Sequence, residues 1–359
     1  MHLARLKLRD FRNIRRLDVE FEPGFHVLLG RNAQGKTNLL EAVYLLATLR
    51  SFRGVGNAQI IRHERKAFFA GGLAIGQAKN DIRYYWSAVQ RKLTVNEKPI
   101  RRVADYLGAL RTVVFCAEDA LLVNGPGKSR RRFLDLLLTQ TRPGYLDLLH
   151  RYTEALRSRN ALLKRDSPDN VLLDSFTREL VGNGEKLIVA RREVVKKLSP
   201  LIRLGYRKIA AKPEDARIDY APSVREDFAV DLAKSRIREQ RYRSTLVGPH
   251  RDELKLSLDG QAAAQYASEG QKRTFAIALK MAQADYLAGI HGSPPILLID
   301  DVMGELDAGR RAGLVPLISR VGQALGQVFM TCTEENWPGE LSDNLHRWQV
   351  DEGTVSREG

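Results

Sequence analysis

Residues 30–37 read Gly30-Arg31-Asn32-Ala33-Gln34-Gly35-Lys36-Thr37, a match to G-x-x-x-x-G-K-[ST] in the setting that this motif requires. Ahead of it, Phe25-His26-Val27-Leu28-Leu29 is a short apolar run of buried-strand type, and behind it Leu39, Leu40, Val43, Leu46 and Ala47 recur at helical spacing. A strand, a glycine loop and a helix in that order make a phosphate cradle. The glycines admit close backbone approach, and successive N–H groups with the helix N-terminus supply positive potential. In such a cradle Lys36 reaches the β- and γ-phosphates and the Thr37 hydroxyl ligates Mg²⁺. A glycine turn that only capped a helix would have no use for the Lys36-Thr37 pair. The expectation is an ATP or GTP site in an α/β fold.

The second half of the site lies far along the chain. Pro294-Pro295-Ile296-Leu297-Leu298-Ile299-Asp300-Asp301 reads as a buried parallel strand that delivers two acids at its C-terminal end, a Walker-B strand. Asp300 is placed to hold Mg²⁺ directly or through water, and Asp301 to orient or deprotonate the attacking water. Ala267-Ser268-Glu269-Gly270-Gln271-Lys272-Arg273 opens a helix whose apolar positions run from Phe275 to Leu287. Ser268 is a good N-cap, and the first turn behind it offers a second anion site.

Placed ahead of a Walker-B strand, the S-x-G-Q of Ser268–Gln271 resembles the signature of ATP-binding-cassette ATPases, and Glu305-Leu306-Asp307 resembles the loop that follows Walker B in them. Within that superclass the chain resembles the RecF family of recombination mediators, which is related to SMC-type heads. The resemblance is carried by Asp10-Phe11-Arg12-Asn13, Gly30–Asn38, Arg50-Ser51-Phe52-Arg53, Gly125-Pro126 with Arg131-Arg132-Phe133-Leu134-Asp135, Leu246-Val247-Gly248-Pro249-His250-Arg251-Asp252, and Ser268–Arg273. Singly only the P-loop is a strong signal; the ordered set, spanning residues 10 to 307, is specific.

The resemblance implies an ATP-binding-cassette-type P-loop head, a mixed sheet with flanking helices, formed by 1–125 and 245–359. It places a smaller helical lobe, 126–244, between Walker A and the signature. It implies ATP and Mg²⁺ as cofactors, with Arg12, Asn13, Asn38, Ser268, Gly270 and Gln271 joining residues 30–37 at the nucleotide. In this superclass the signature of one head meets the nucleotide of another, so an ATP-dependent homodimer is implied. The implied targets are double-stranded DNA and ssDNA–dsDNA junctions, and the implied task is cytoplasmic repair of gapped DNA, in which RecO and RecR help load the RecA recombinase. The implied activity is slow, DNA-dependent ATP hydrolysis. An architectural clamp that binds ATP but barely hydrolyses it is the competing reading.

Two departures bear on turnover. Most ATP-binding-cassette ATPases have Glu where this chain has Asp301, and the shorter carboxylate holds water less favourably. The switch histidine is also missing, since Thr331-Cys332-Thr333 follow the strand around Val328-Phe329-Met330. The glutamine loop stays open among Gln59, Gln77 and Gln90.

Between Thr37 and Ser268 lie 230 residues, too few for a long coiled-coil arm once the first lobe is complete. They do show helical seams, at Tyr145, Leu149, Tyr152 and Leu156, and at Leu180, Leu187, Val194 and Leu201. With Ser167-Pro168-Asp169 as the turn, an antiparallel pair is expected, the longer helix running about 50 Å.

Charge supports a polyanionic partner. Residues 1–212 carry 41 basic against 20 acidic side chains (+21), and 213–359 carry 17 against 23 (−6), giving +15 overall. Arg130-Arg131-Arg132, Arg191-Arg192 and Lys196-Lys197 sit on the expected helices and are candidates for contacts to duplex phosphates. Few aromatics interleave with them, which argues against a single-strand stacking platform there. No stretch reaches about 18 uncharged apolar residues, so no membrane span is expected, and the ATPase subunit of a transporter, which needs a membrane partner, is disfavoured by the Arg-rich inserts and the RecF-like blocks. Charges interrupt the N-terminal run, so no signal peptide is expected. Two cysteines, Cys116 and Cys332, fit a reducing cytosol and give no metal cluster.

Overall fold

Alternation of apolar and charged residues shapes the first strand. In β1 (His2–Phe11), Leu6 and Leu8 are buried while Lys7 and Arg9 face out. It is followed by β2 (Ile14–Glu20), β3 (Gly24–Leu29), α1 (Lys36–Thr48), β4 (Ala67–Ile75), β5 (Lys79–Ser87), β6 (Arg91–Val95), β7 (Lys98–Pro99) and β8 (Thr112–Phe115). The helical middle holds α2 (Gly127–Thr141), α3 (Tyr145–Leu163), α4 (Asn170–Ile209), β9 (Ala216–Ala221) and α5 (Phe228–Tyr242). Then come β10 (Glu253–Leu258), β11 (Gln261–Ala262), α6 (Ala263–Tyr266), α7 (Glu269–His291), β12 (Ile296–Asp300), α8 (Ala308–Gln323), β13 (Gln327–Cys332), β14 (Leu345–Asp351) and β15 (Thr354–Arg357). The computed structural model describes residues 1–167, 169–210, 212–323, 326–332 and 345–358.

By internal contacts the chain divides into two units. The first comprises Met1–Ala120, Leu204–Glu214 and Ser268–Gly359, the second Leu121–Arg203 and Asp215–Ala267. Residues 245–267 therefore group with the second unit.

The first unit is the mixed α/β head expected from the motifs. Among the described residues its strands form two sheets, β2-β1-β4-β5-β6-β7, which is antiparallel, and β15-β14-β3-β13-β12-β8. In the latter β8, β12, β13, β3 and β14 all run parallel. Val27, Leu28, Leu297, Leu298, Val328 and Phe329 are fully buried there, as the near-continuous apolar runs of β3, β12 and β13 require. Helix α1 packs on strands of both sheets, which explains why its residues are buried on nearly every side.

His26 shows how closely this core is wired. Trp348 Nε1 donates to His26 Nδ1 at 3.0 Å, and His26 Nε2 donates to the Glu22 carbonyl at 2.8 Å, so both ring nitrogens are used by the neutral tautomer. Burial holds the ring's pKa down at about 3. The unfolded chain binds a proton at this ring below about pH 6.5, and the folded chain does not until about pH 3. Between those values falling pH should cost the fold about 1.4 kcal/mol per unit through this one ring. Thermal melts of wild type and His26→Gln from pH 7 to 4 check this, the wild type being expected to lose stability more steeply.

In the second unit α3 and α4 form the expected antiparallel pair. Leu162 and Leu163 pack with Leu173, Arg159 Nε donates to Thr177 Oγ1 at 2.9 Å, Tyr152 lies over Gly184, and Tyr145 and Arg191 meet at Asp135. Pro168 of the expected turn lies outside the described residues. The long helix has 40 residues, about 60 Å at 1.5 Å each, and exceeds the expected length. Its seam also departs from the heptad: Leu180, Leu187 and Val194 are buried, but Leu198 and Ile202 then take the buried positions and Leu201 is only half-buried. A straight helix drifts off a seven-residue repeat at 3.6 residues per turn. The unit is not purely helical, since β11-β10-β9 form an antiparallel sheet.

Candidate functional site

The loop after β3 is shaped by its glycines. Gly30 (φ +149°) and Gly35 (φ +117°) occupy conformations that favour glycine, and a Cβ at Gly30 would come 2.3 Å from the Val350 carbonyl oxygen. At Gly35 a Cβ would meet the Asn13 side chain at 2.8 Å. Asn13 sits in the tight turn between β1 and β2; its Nδ2 donates to the Gln34 carbonyl at 2.9 Å, and its Oδ1 accepts from Asn38 Nδ2 at 2.8 Å.

Arg12 fixes that turn. Its φ of +53° is costly for a side chain of this size and is held by a two-pronged bond to Glu41, 2.8 Å to each carboxylate oxygen, with a third bond to the Gln59 carbonyl at 2.8 Å. Glu41 is fully buried and also accepts from the Ser51 hydroxyl, which places the Arg50–Arg53 block beside the loop. Of the three glutamines left open, Gln59 is the one tied to Arg12; Gln77 and Gln90 sit in the β4–β5 and β5–β6 turns.

Lys36 opens α1 with its ammonium folded onto the loop, donating to the Gly30 carbonyl and, at 2.9 Å, to the Arg31 carbonyl. Burial pushes its pKa down, against the charges of Asp301 and Asp300. Thr37 Oγ1 donates to Asp300 Oδ1 at 2.8 Å, although 263 residues separate them. Thr331 at the end of β13 completes the group, donating to Asp300 Oδ1 at 3.0 Å and accepting from the Asp301 N–H at 2.9 Å. Burial pushes the Asp300 carboxyl up, while the hydroxyls of Thr37 and Thr331 pull it down. A hydroxyl and a carboxylate that meet at a phosphate loop are the all-oxygen donor set that suits Mg²⁺, which takes one or two protein ligands and fills its octahedron with phosphate and water. Asp301 follows in the left-handed region (φ +55°), exposed at the strand end.

The signature segment is built as the sequence suggests. Ser268 caps α7, with Gln271 N donating to its hydroxyl at 3.3 Å and Gln271 Oε1 accepting from the Ser268 N–H at 2.6 Å. Gln271 Nε2 also donates to Glu214 at 2.7 Å. Asp307 caps α8 through the Arg310 N–H at 2.9 Å and pairs with the Arg310 guanidinium, which covers Gly270 and donates to Thr274 Oγ1 at 2.8 Å. Among the described residues no hydrogen bond links Ser268, Gly270 or Gln271 to the loop 30–38. Thr333 and the side chain of Glu305 lie outside the described residues.

The basic candidates divide. Arg191 is 2% exposed and is committed to Asp135, with Nε and Nη2 each at 3.0 Å, and to the Pro249 carbonyl. Arg130 pairs with Glu253 at 2.7 Å and donates to the Leu122 and Gly125 carbonyls, and Arg131 donates to the Asp252 carbonyl at 2.6 Å. These three are corrected from phosphate contacts to internal braces. Arg132, Arg192, Lys196 and Lys197 are exposed and stay available.

Sequence reasoning missed Glu41, Thr331 and the β14–β15 hairpin. Glu41 had a signal, being the one acid in the apolar run of α1. The hairpin had none, yet the Glu352 and Gly353 N–H groups donate to Gln34 Oε1 at 2.6 Å and to its carbonyl at 2.9 Å.

A P-loop and Walker-B aspartate at the ends of parallel strands, an antiparallel sheet beside them and an S-x-G-Q helix cap define an ATP-binding-cassette-type head ATPase. The model of the RecF/RecN/SMC N terminal domain matches residues 2–356. The DNA replication and repair protein RecF of Symbiobacterium thermophilum is 38% identical over 99% of this chain and 98% of its own length, and that of Geobacter sulfurreducens is 35% identical over 99% and 100%. The chain belongs to the RecF family. A solved structure of the recombination mediator protein RecF-ATP in the RecFOR pathway has a TM-score of 0.89 at 29% identity, covering 100% of this chain and 98% of that one. An Smc head domain from Pyrococcus furiosus, at TM-score 0.60 and 14% identity, shares the fold alone. No helix among the described residues is long and apolar enough to cross a membrane.

Proposed function

We propose that this chain is a cytoplasmic, ATP-dependent DNA-binding protein of recombinational repair, which dimerises with ATP and Mg²⁺ on double-stranded or gapped DNA. The meeting of Thr37 with Asp300 beneath the P-loop carries this reading. Lys36 binds the β- and γ-phosphates, Thr37 and Asp300 hold the cation, and Asp301 orients the water. Ser268, Gly270 and Gln271, which do not engage their own loop, are directed at the nucleotide of a second head. The exposed Arg132, Arg192, Lys196 and Lys197 of the 126–244 lobe contact duplex phosphates. With RecO and RecR, the closed dimer helps to load RecA. The short reach of Asp301 and the lack of a switch histidine in Thr331-Cys332-Thr333 suit slow, DNA-dependent hydrolysis.

Asp301→Asn tests the switch. The variant is expected to bind ATP and DNA but to release DNA at least tenfold more slowly after a chase, because only hydrolysis reopens the dimer. An unchanged DNA lifetime would instead identify an architectural clamp with negligible hydrolysis.

A further inference from the structure

The antiparallel sheet gathers on one face residues that the sequence keeps apart. Arg9 of β1 is paired with Arg16 of β2 and with Phe69 of β4; Phe69 is paired with Tyr85 of β5, and Tyr85 with Lys92 of β6. Two aromatic rings thus stand side by side in the middle of a row, with cations at both ends. Their neighbours Leu8, Phe68 and Tyr84 point to the other face, where they are buried and α1 packs.

The rings are unclaimed. On the buried face Phe68 packs edge-on against Phe11 and Tyr84, with centroids 5.6 and 5.7 Å apart, whereas Phe69 and Tyr85 make no ring contact among the described residues. The glycine at position 71 lets the Phe69 ring lie along the strand, since a Cβ there would come 2.9 Å from Phe69 Cζ. Open grooves of about 480, 610 and 710 Å³ all border Phe69.

The charges of this face are unevenly spent. One row over, they cancel: Arg5 and Lys7 pair with Asp18 at 2.6 and 3.5 Å, and Arg83 with Asp81 at 2.6 Å. In the aromatic row, Arg16, Lys92 and the adjacent Lys66 have no ion pair among the described residues. Asp10 alone answers Arg9, Arg62 and Arg65, at 3.9, 4.0 and 3.7 Å.

We propose that this sheet face binds single-stranded nucleic acid, with bases stacked on Phe69 and Tyr85 and phosphates on Arg9, Arg16, Lys66 and Lys92. Cations alone would suit any polyanion; the two free rings select the single strand, because a duplex keeps its base faces to itself. No residue of the loop 30–38 lines these grooves, and the proposal does not rest on the duplex-clamp reading.

The test is fluorescence anisotropy of the full chain with a labelled oligothymidylate and with a duplex of equal length, both without nucleotide. Phe69→Ala and Tyr85→Ala should each weaken single-strand binding about tenfold and leave duplex binding unchanged, while Tyr85→Phe should bind as wild type. Phe69→Leu, which keeps an apolar side chain over Gly71, guards against misfolding and should behave as Phe69→Ala. Arg16→Ala should weaken single-strand binding and flatten its salt dependence. The proposal is overturned if wild type does not bind the oligothymidylate at low salt, if the ring variants stay within twofold of wild type, or if single strand and duplex weaken together. Lys36→Met should leave this binding intact, so failure of the ATP-driven clamp would be seen separately.

Discussion

Lys36→Met is expected to abolish ATP-dependent self-association and to lower ATP hydrolysis on the order of a thousandfold, the scale of losing one preorganised cation at a developing charge. Met keeps the length of the stem, so α1 and the loop should stay folded, while the ammonium that now bonds the Gly30 and Arg31 carbonyls is gone. Light scattering with saturating ATP and Mg²⁺ measures the first effect and phosphate release the second. If Lys36→Met associates with ATP as wild type does, the P-loop is not the trigger of dimerisation. Wild type that remains monomeric under the same conditions would remove the closing dimer altogether.

Arg159→Ala should produce the largest loss of stability. The Arg159 and Glu239 side chains are 1% and 0% exposed and meet at 2.6 Å, with Thr177 and Thr245 accepting from Arg159 at 2.9 and 2.8 Å and the Leu246 N–H donating to Glu239 at 2.9 Å. Removing one partner strands a buried charge, a cost of about 3–5 kcal/mol. Urea unfolding followed by circular dichroism gives the number. Arg159→Leu combined with Glu239→Leu should recover much of it, because an apolar pair leaves no charge behind. A cost below about 1 kcal/mol for the single variant would mean that water reaches Glu239.

The sequence was most legible where the chemistry is local. The P-loop, the Walker-B strand and the Ser268 cap each lie within eight or fewer consecutive residues, and the structure forms each of them where they were read. The helix pair was legible because its seam repeats, and the error in its late register came from extending a heptad past the point where α4 follows its own 3.6-residue period. Charge was the least legible property. A string of arginines looks alike whether it meets DNA or the protein's own acids, and Arg130, Arg159 and Arg191 meet acids 123, 80 and 56 residues away. The row of Arg9, Phe69 and Tyr85 was invisible for the same reason: strand pairing, not sequence proximity, assembles it.

The position of β3 has a consequence for biosynthesis. This strand carries the P-loop and is made early, yet its neighbours on both sides are β13 (Gln327–Cys332) and β14 (Leu345–Asp351), which follow Leu29 only after most of the chain. At about 5–20 residues per second, the nucleotide loop therefore waits tens of seconds on the ribosome before either flanking strand emerges. A nascent chain of this protein therefore has no finished nucleotide loop until the β14–β15 hairpin that holds Gln34 is translated, and ATP binding is expected only of chains that include it.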